Sequence, residues 1–207
     1  MTAVTVFLTD DAATVFTDGV GYDNDNGNRI VAFMSKTYSL PHLACVIASR
    51  GPSDFTADLT PRLGRTFSSF EELVDNLALS VEIAWENAPD EVRAYGGVEI
   101  YAAGWSHERG RAEAYVVTNN PAYGGGWQVA EIRDYASAPA VPLPAMPDDL
   151  VEAGIAIAEQ QRAHRDENGN GGVGGFLLMS SVTPIATHQA VVHRWPDRVG
   201  DCLRDAA

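Results

Sequence analysis

Strand and helix periodicities along this 207-residue chain come in blocks instead of alternating, and that order restricts the fold more than any other property. Residues 4–8 and 13–17 are apolar, β-branched runs separated by the turn Asp10-Asp11. A polar loop over 22–28 precedes a third strand expected near 30–34, and the N-terminal third reads as strands. Phe70, Leu73, Val74, Leu77, Val81, Ala84 and Trp85 then follow helical spacing. Ser69-x-x-Glu72 fits a capping box at the start of that helix, and Pro89 stops it. Residues 98–103 and 112–118 read as a hairpin around Gly110, with a further strand over 127–133. A Pro-rich extended connector over 136–147 leads to a second helix over 148–164, whose narrow stripe includes Leu150, Val151, Gly154, Ile155 and Ala158. Strands over 174–180, 184–187 and 189–195 finish the chain. Without regular strand–helix alternation a parallel sheet is disfavoured. The order predicts an α+β fold in which two antiparallel sheets pack face to face with a helix layer outside each. The length predicts one domain over residues 1–207.

Composition narrows the function classes. The net charge of −14 opposes binding to a phosphate backbone, so no nucleic-acid partner is expected. No apolar run approaches the roughly 18 residues of a membrane span, and no basic segment leads an apolar one at the start, so neither membrane association nor a signal peptide is expected. Two cysteines, Cys45 and Cys202, make no disulfide framework, and the expected compartment is the cytoplasm. His42, His107, His164, His188 and His193 lack ligand spacing for a transition metal. Asp166-x-Asn168-x-Asn170-Gly171 opens like a calcium loop, but Leu177 stands where the closing Glu belongs, and a solvated turn is the expected reading. No Gly-x-Ser-x-Gly elbow and no phosphate-binding loop occur.

The remaining chemistry gathers at the amino end. Trimming of Met1 leaves Thr2 with a free α-amine whose ordinary pKa is about 8. Such an amine can take the proton of its own residue's hydroxyl, placing nucleophile and base on one residue. The turn between the first two strands returns Asp18 to the neighbourhood of Thr2. Lys36 follows the next strand and can reach the same place. A carboxylate beside an ammonium keeps it charged, and the ammonium lowers the pKa of a neighbouring amine or hydroxyl.

Thr2, Asp18-Gly19 and Lys36, in that order, resemble the proteasome β-subunit and its bacterial relatives among the N-terminal nucleophile hydrolases. The stretch from Lys36 through Ala48-Ser49-Arg50-Gly51 is similar to the family's strand pair leading into its oxyanion loop. Ala103-Gly104-Trp105-Ser106, followed by a short basic turn, is similar to its central hairpin. Asp166, then Asn170-Gly171-Gly172, stands where the family has Asp and then Ser-Gly-Gly. The resemblance implies the αββα sandwich and a threonine peptidase or amidohydrolase acting on amide bonds without metal or organic cofactor. It implies Thr2 as nucleophile, Lys36 held by Asp18, backbone N–H groups of Ser49 and Arg50 for the oxyanion, and Asp166 and Asn170 orienting the amine. It also implies self-assembly into an oligomer or ring.

The chain departs from the family as well. Ser49 and Arg50 replace paired glycines, Asn170 replaces a serine, and the Gly/Pro-rich stretch over 123–147 replaces helical sequence. Arg50 is expected to crowd or charge the cleft. The family's supporting serine is unassigned, with Ser137 the only nearby candidate. These departures fit an alternative, a catalytically inactive scaffold or assembly subunit with the same sandwich.

Overall fold

The computed structural model describes residues 2–121, 125–142, 149–165 and 171–203. Its first half runs β1 (Val4–Leu8), β2 (Ala13–Asp18), β3 (Val20–Asp23), β4 (Arg29–Phe33), β5 (Thr37–Leu40), β6 (Cys45–Arg50), α1 (Ser53–Thr66), α2 (Phe70–Glu86) and α3 (Asp90–Arg93). The second half runs β7 (Glu99–Ser106), β8 (Arg111–Thr118), β9 (Gln128–Ile132), β10 (Tyr135–Ala138), α4 (Leu150–Ala163), β11 (Phe176–Val182) and β12 (Thr187–Arg194). The fold is α+β with antiparallel sheets. One five-stranded sheet has the order β10-β1-β2-β11-β12, the other β5-β6-β7-β8-β9, and β3-β4 form a separate ribbon.

Alternation within strands sorts side chains into cores. Val4, Val6, Ala13 and Val15 of one sheet share a core with Val46, Ala48, Tyr101, Ala103 and Ala114 of the other. The opposite faces carry Ile47, Ile100 and Ala102 into a core with Leu59 and Leu63 of α1 and Leu73 and Leu77 of α2. Phe7, Phe16 and Leu177 meet Ala153, Ile157 and Ala158 of α4. Gly154 lies in that contact because a Cβ there would fall 2.5 Å from the Phe16 ring. These strands are apolar on both faces because both faces are covered.

Several expectations need correction. The stretch 53–66 is α1, not part of a strand-only N-terminal third: Phe55, Leu59 and Leu63 form a helical stripe that packing rewards despite Pro61. The expected third strand forms as β4, and it pairs with β3, a strand that occupies the start of the expected loop. Instead of a separate strand over 184–187, residues 184–186 make a turn in which Thr183 N–H and Oγ1 both bond Ala186 O, and β11 and β12 form one long hairpin. Within the expected connector β10 is a ladder strand, paired with β1 from Val4↔Ala138 to Phe7↔Tyr135. Residues 143–147 of that connector lie outside the described residues. No described helix is long and apolar enough to cross a membrane.

Candidate functional site

Thr2 and Ala3 are buried. The β1 ladder ends at Val4, and Ala3 and Thr2 continue inward from it, with Thr2 8 % exposed. Asp18 closes β2 and is fully buried. Its Oδ1 accepts Ala3 N–H at 2.9 Å, and its Oδ2 accepts Val20 N–H at 3.2 Å and Gly174 N–H at 3.4 Å. Gly19 is required beside it, because an added Cβ would sit 2.3 Å from the Phe176 ring.

Lys36 arrives from the other sheet. Thr17 and Thr37 share a buried hydroxyl–hydroxyl hydrogen bond of 3.0 Å. Each is the neighbour in sequence of one member of the pair, so this contact aligns Asp18 with Lys36. The Lys36 ammonium donates to Asp18 Oδ1 at 3.0 Å and Oδ2 at 2.9 Å, and to Thr2 Oγ1 at 3.3 Å. Burial is the strongest influence on this ammonium and pulls it below its ordinary 10.5; Asp18 opposes the fall and the Arg50 charge adds to it.

Ser49 and Arg50 end β6. There β7 still pairs with them (Ser49↔Ile100, Arg50↔Glu99), whereas pairing with β5 stops at Thr37↔Ala48. Successive N–H groups of an extended strand point to opposite edges. One of Ser49 and Arg50 therefore turns its N–H to the open edge and the other to β7. Gly51 follows with φ of 128°, a backbone conformation side-chain-bearing residues rarely adopt, and an added Cβ would meet Gly97 O at 3.1 Å. Ser49, Thr2, Lys36, Tyr38 and Ser53 line a small cavity of about 20 Å³. A cleft of about 460 Å³ opens beside Thr2, between Val20 and Tyr22 of β3 and Glu91 and Val92 of α3, with Met34, Arg50, Asp54 and Tyr95 in its walls.

Arg50 does not leave an uncompensated charge in that cleft. Its Nη1 donates to Glu99 Oε1 at 2.7 Å, its Nε donates to the Thr2 carbonyl at 2.8 Å, and Tyr101 Oη donates to Glu99 Oε2 at 2.7 Å. The sequence reading missed this chain of contacts. A signal was present, since Glu99 and Tyr101 interrupt an apolar strand at alternate positions, where a buried charge needs a partner. Ser137 pairs with Thr5 in the ladder, and its hydroxyl is engaged with Val141, accepting from Val141 N–H at 3.1 Å. Thr2, Asp18, Lys36 and Ser49 are thus brought together, while Asp166 and Asn170 lie outside the described residues, as does Asn168 of the calcium-like loop. Among the described residues no cluster of His, Cys, Asp and Glu could hold a metal ion.

No protein-family model matches this chain, and no curated protein matches it.

Proposed function

We propose that this chain is a proteasome-like N-terminal nucleophile hydrolase of αββα architecture that cleaves amide or peptide bonds through Thr2. The observation that carries the reading is the 3.3 Å contact from the Lys36 ammonium to Thr2 Oγ1, made by an ammonium that Asp18 holds in place. The cores on both faces of each five-stranded sheet support the sandwich.

With Met1 removed, the Thr2 amine takes the hydroxyl proton and Oγ1 attacks the substrate carbonyl. The carbonyl becomes a tetrahedral oxyanion, which a backbone N–H at the open edge of β6 and the nearby Lys36 charge stabilise. Collapse breaks the C–N bond, and the leaving amine departs with the proton held by the Thr2 amine. Water then enters, loses a proton to the same amine and attacks the acyl carbon; the C–Oγ1 bond breaks, the acid leaves, and the amine returns its proton to Oγ1. Within this reading, Asp166 and Asn170 orient the amine.

The test is covalent labelling followed by turnover. Protein lacking Met1, treated with an electrophilic β-lactone, is expected to gain one acyl group on the Thr2 peptide, read by mass spectrometry. Thr2→Ala is expected to fold with an unchanged circular-dichroism spectrum and to lose both labelling and peptide hydrolysis. Equal turnover in Thr2→Ala and wild type rules the reading out.

One observation favours the second reading, a noncatalytic subunit that self-assembles. Leu79 and Ile83 sit one turn apart on α2 with half of their surface exposed, 55 % and 51 %. Both readings use the same sandwich, and fold alone does not choose between them.

A further inference from the structure

The Thr2 main chain raises an accounting question. Pairing of β1 with β2 and β10 ends at Val4 (Val4↔Thr17, Val4↔Ala138), so Thr2 and Ala3 have left the ladder while still buried. Buried backbone groups need partners. Ala3 N–H finds Asp18 Oδ1 at 2.9 Å, from the same sheet. The Thr2 carbonyl finds Arg50 Nε at 2.8 Å, from the opposite sheet.

An arginine side chain is long and loses much rotamer freedom when fixed. This one is held from behind. Arg50 stands opposite Glu99 in the β6–β7 register, and its Nη1 meets Glu99 Oε1 at 2.7 Å. Glu99 is itself buried, and its other oxygen accepts Tyr101 Oη at 2.7 Å from the same face of β7. A single planar guanidinium thereby bridges a buried carboxylate and the backbone of the nucleophilic residue, which a lysine's single nitrogen cannot do with the same geometry.

Resting on the Thr2 reading, we propose that Tyr101, Glu99 and Arg50 form a positioning clamp that holds the Thr2 carbonyl and so fixes the direction of the Thr2 hydroxyl and amine. The clamp touches the residue that carries the chemistry but not the reacting atoms. Its loss leaves every strand ladder intact and lets residue 2 swing about Ala3. The arginine that replaces a family glycine is therefore a fitted part of this site.

The test compares Arg50→Gln, Arg50→Lys and Tyr101→Phe with wild type, all lacking Met1. Arg50→Gln is expected to lower kcat and the β-lactone labelling rate about 10- to 100-fold, the scale of a misplaced reacting group, with KM held within about twofold. Arg50→Lys is expected to restore little of this, because it returns the charge without the fork. Amide exchange at Ala3 is expected to quicken in both Arg50 variants. Tyr101→Phe removes only a hydroxyl and carries the test should Arg50→Gln fail to fold; its kcat is expected to fall about two- to fivefold with KM unchanged. Full activity in Arg50→Lys, or unchanged kcat in Arg50→Gln or Tyr101→Phe, overturns the clamp. Wild type that is never labelled at Thr2 defeats the hydrolase reading itself, whereas labelled wild type beside an equally reactive Arg50→Gln defeats only the clamp.

Discussion

At the scale of single residues, Asp18 holds the site together. Its carboxylate is sealed from solvent, accepts from the backbone of Ala3, Val20 and Gly174, and neutralises the buried Lys36 ammonium. Removing one member of a buried pair leaves the other uncompensated, which costs about 3–5 kcal/mol, whereas removing both is far milder. Asp18→Asn is accordingly expected to lower unfolding free energy by about that amount in urea denaturation at neutral pH. The double variant Asp18→Asn/Lys36→Met is expected to recover a large part of the loss. Equal stability of Asp18→Asn and wild type would mean that the ammonium has another anchor. Asp18 and Lys36 were legible because each is a charge at the edge of an apolar run, and the turn after the first strand brings Asp18 back toward Thr2. The pairing of Arg50 with Glu99 and with the Thr2 carbonyl was not, because strand register decides which residue faces which.

At the scale of elements, α2 shows how a helix end is tied to a distant turn. Ser69 Oγ accepts Glu72 N–H as the capping box predicts, while the Glu72 carboxylate bonds Ser68 N–H and Oγ, one residue outside the expected box. Glu71, beside it, accepts Ser106 Oγ at 2.6 Å and Glu108 N–H at 3.1 Å, joining α2 to the β7–β8 turn. Burial pushes the Glu71 carboxyl up, but these hydrogen bonds outweigh it and hold the group at about 2, below its ordinary 4.5. Folding thus favours the ionised form. Its contribution is fully present above pH 4.5 and is lost as pH falls from there toward about 2. Thermal melts across that window are expected to fall more steeply for wild type than for Glu71→Gln; parallel curves would remove Glu71 from the acid response. Helix α1 is the opposite lesson. Pro61 lowers its helical propensity, and only the stripe of Phe55, Leu59 and Leu63 against β6 and α2 makes the helix pay.

At the scale of the whole molecule, the exposed Leu79 and Ile83 of α2 give an apolar surface to test. Self-assembly through α2 predicts that wild type sediments above the mass of a single chain and that Leu79→Glu/Ile83→Lys returns it to that mass without changing the circular-dichroism spectrum. A wild type that sediments as one chain at all concentrations removes the scaffold reading. Periodicity and turn residues by themselves determined the block order of elements, the antiparallel character of the sheets and the span of β1, because each depends on neighbours a few residues apart, and the tight turn after β1 offered Asp18 to Thr2. The tertiary structure alone decided that Lys36 reaches both Asp18 and Thr2, that Thr17 meets Thr37, and that Arg50 closes on the Thr2 carbonyl. Those contacts join segments far apart in sequence, and their energy is collected only when two sheets are already in register.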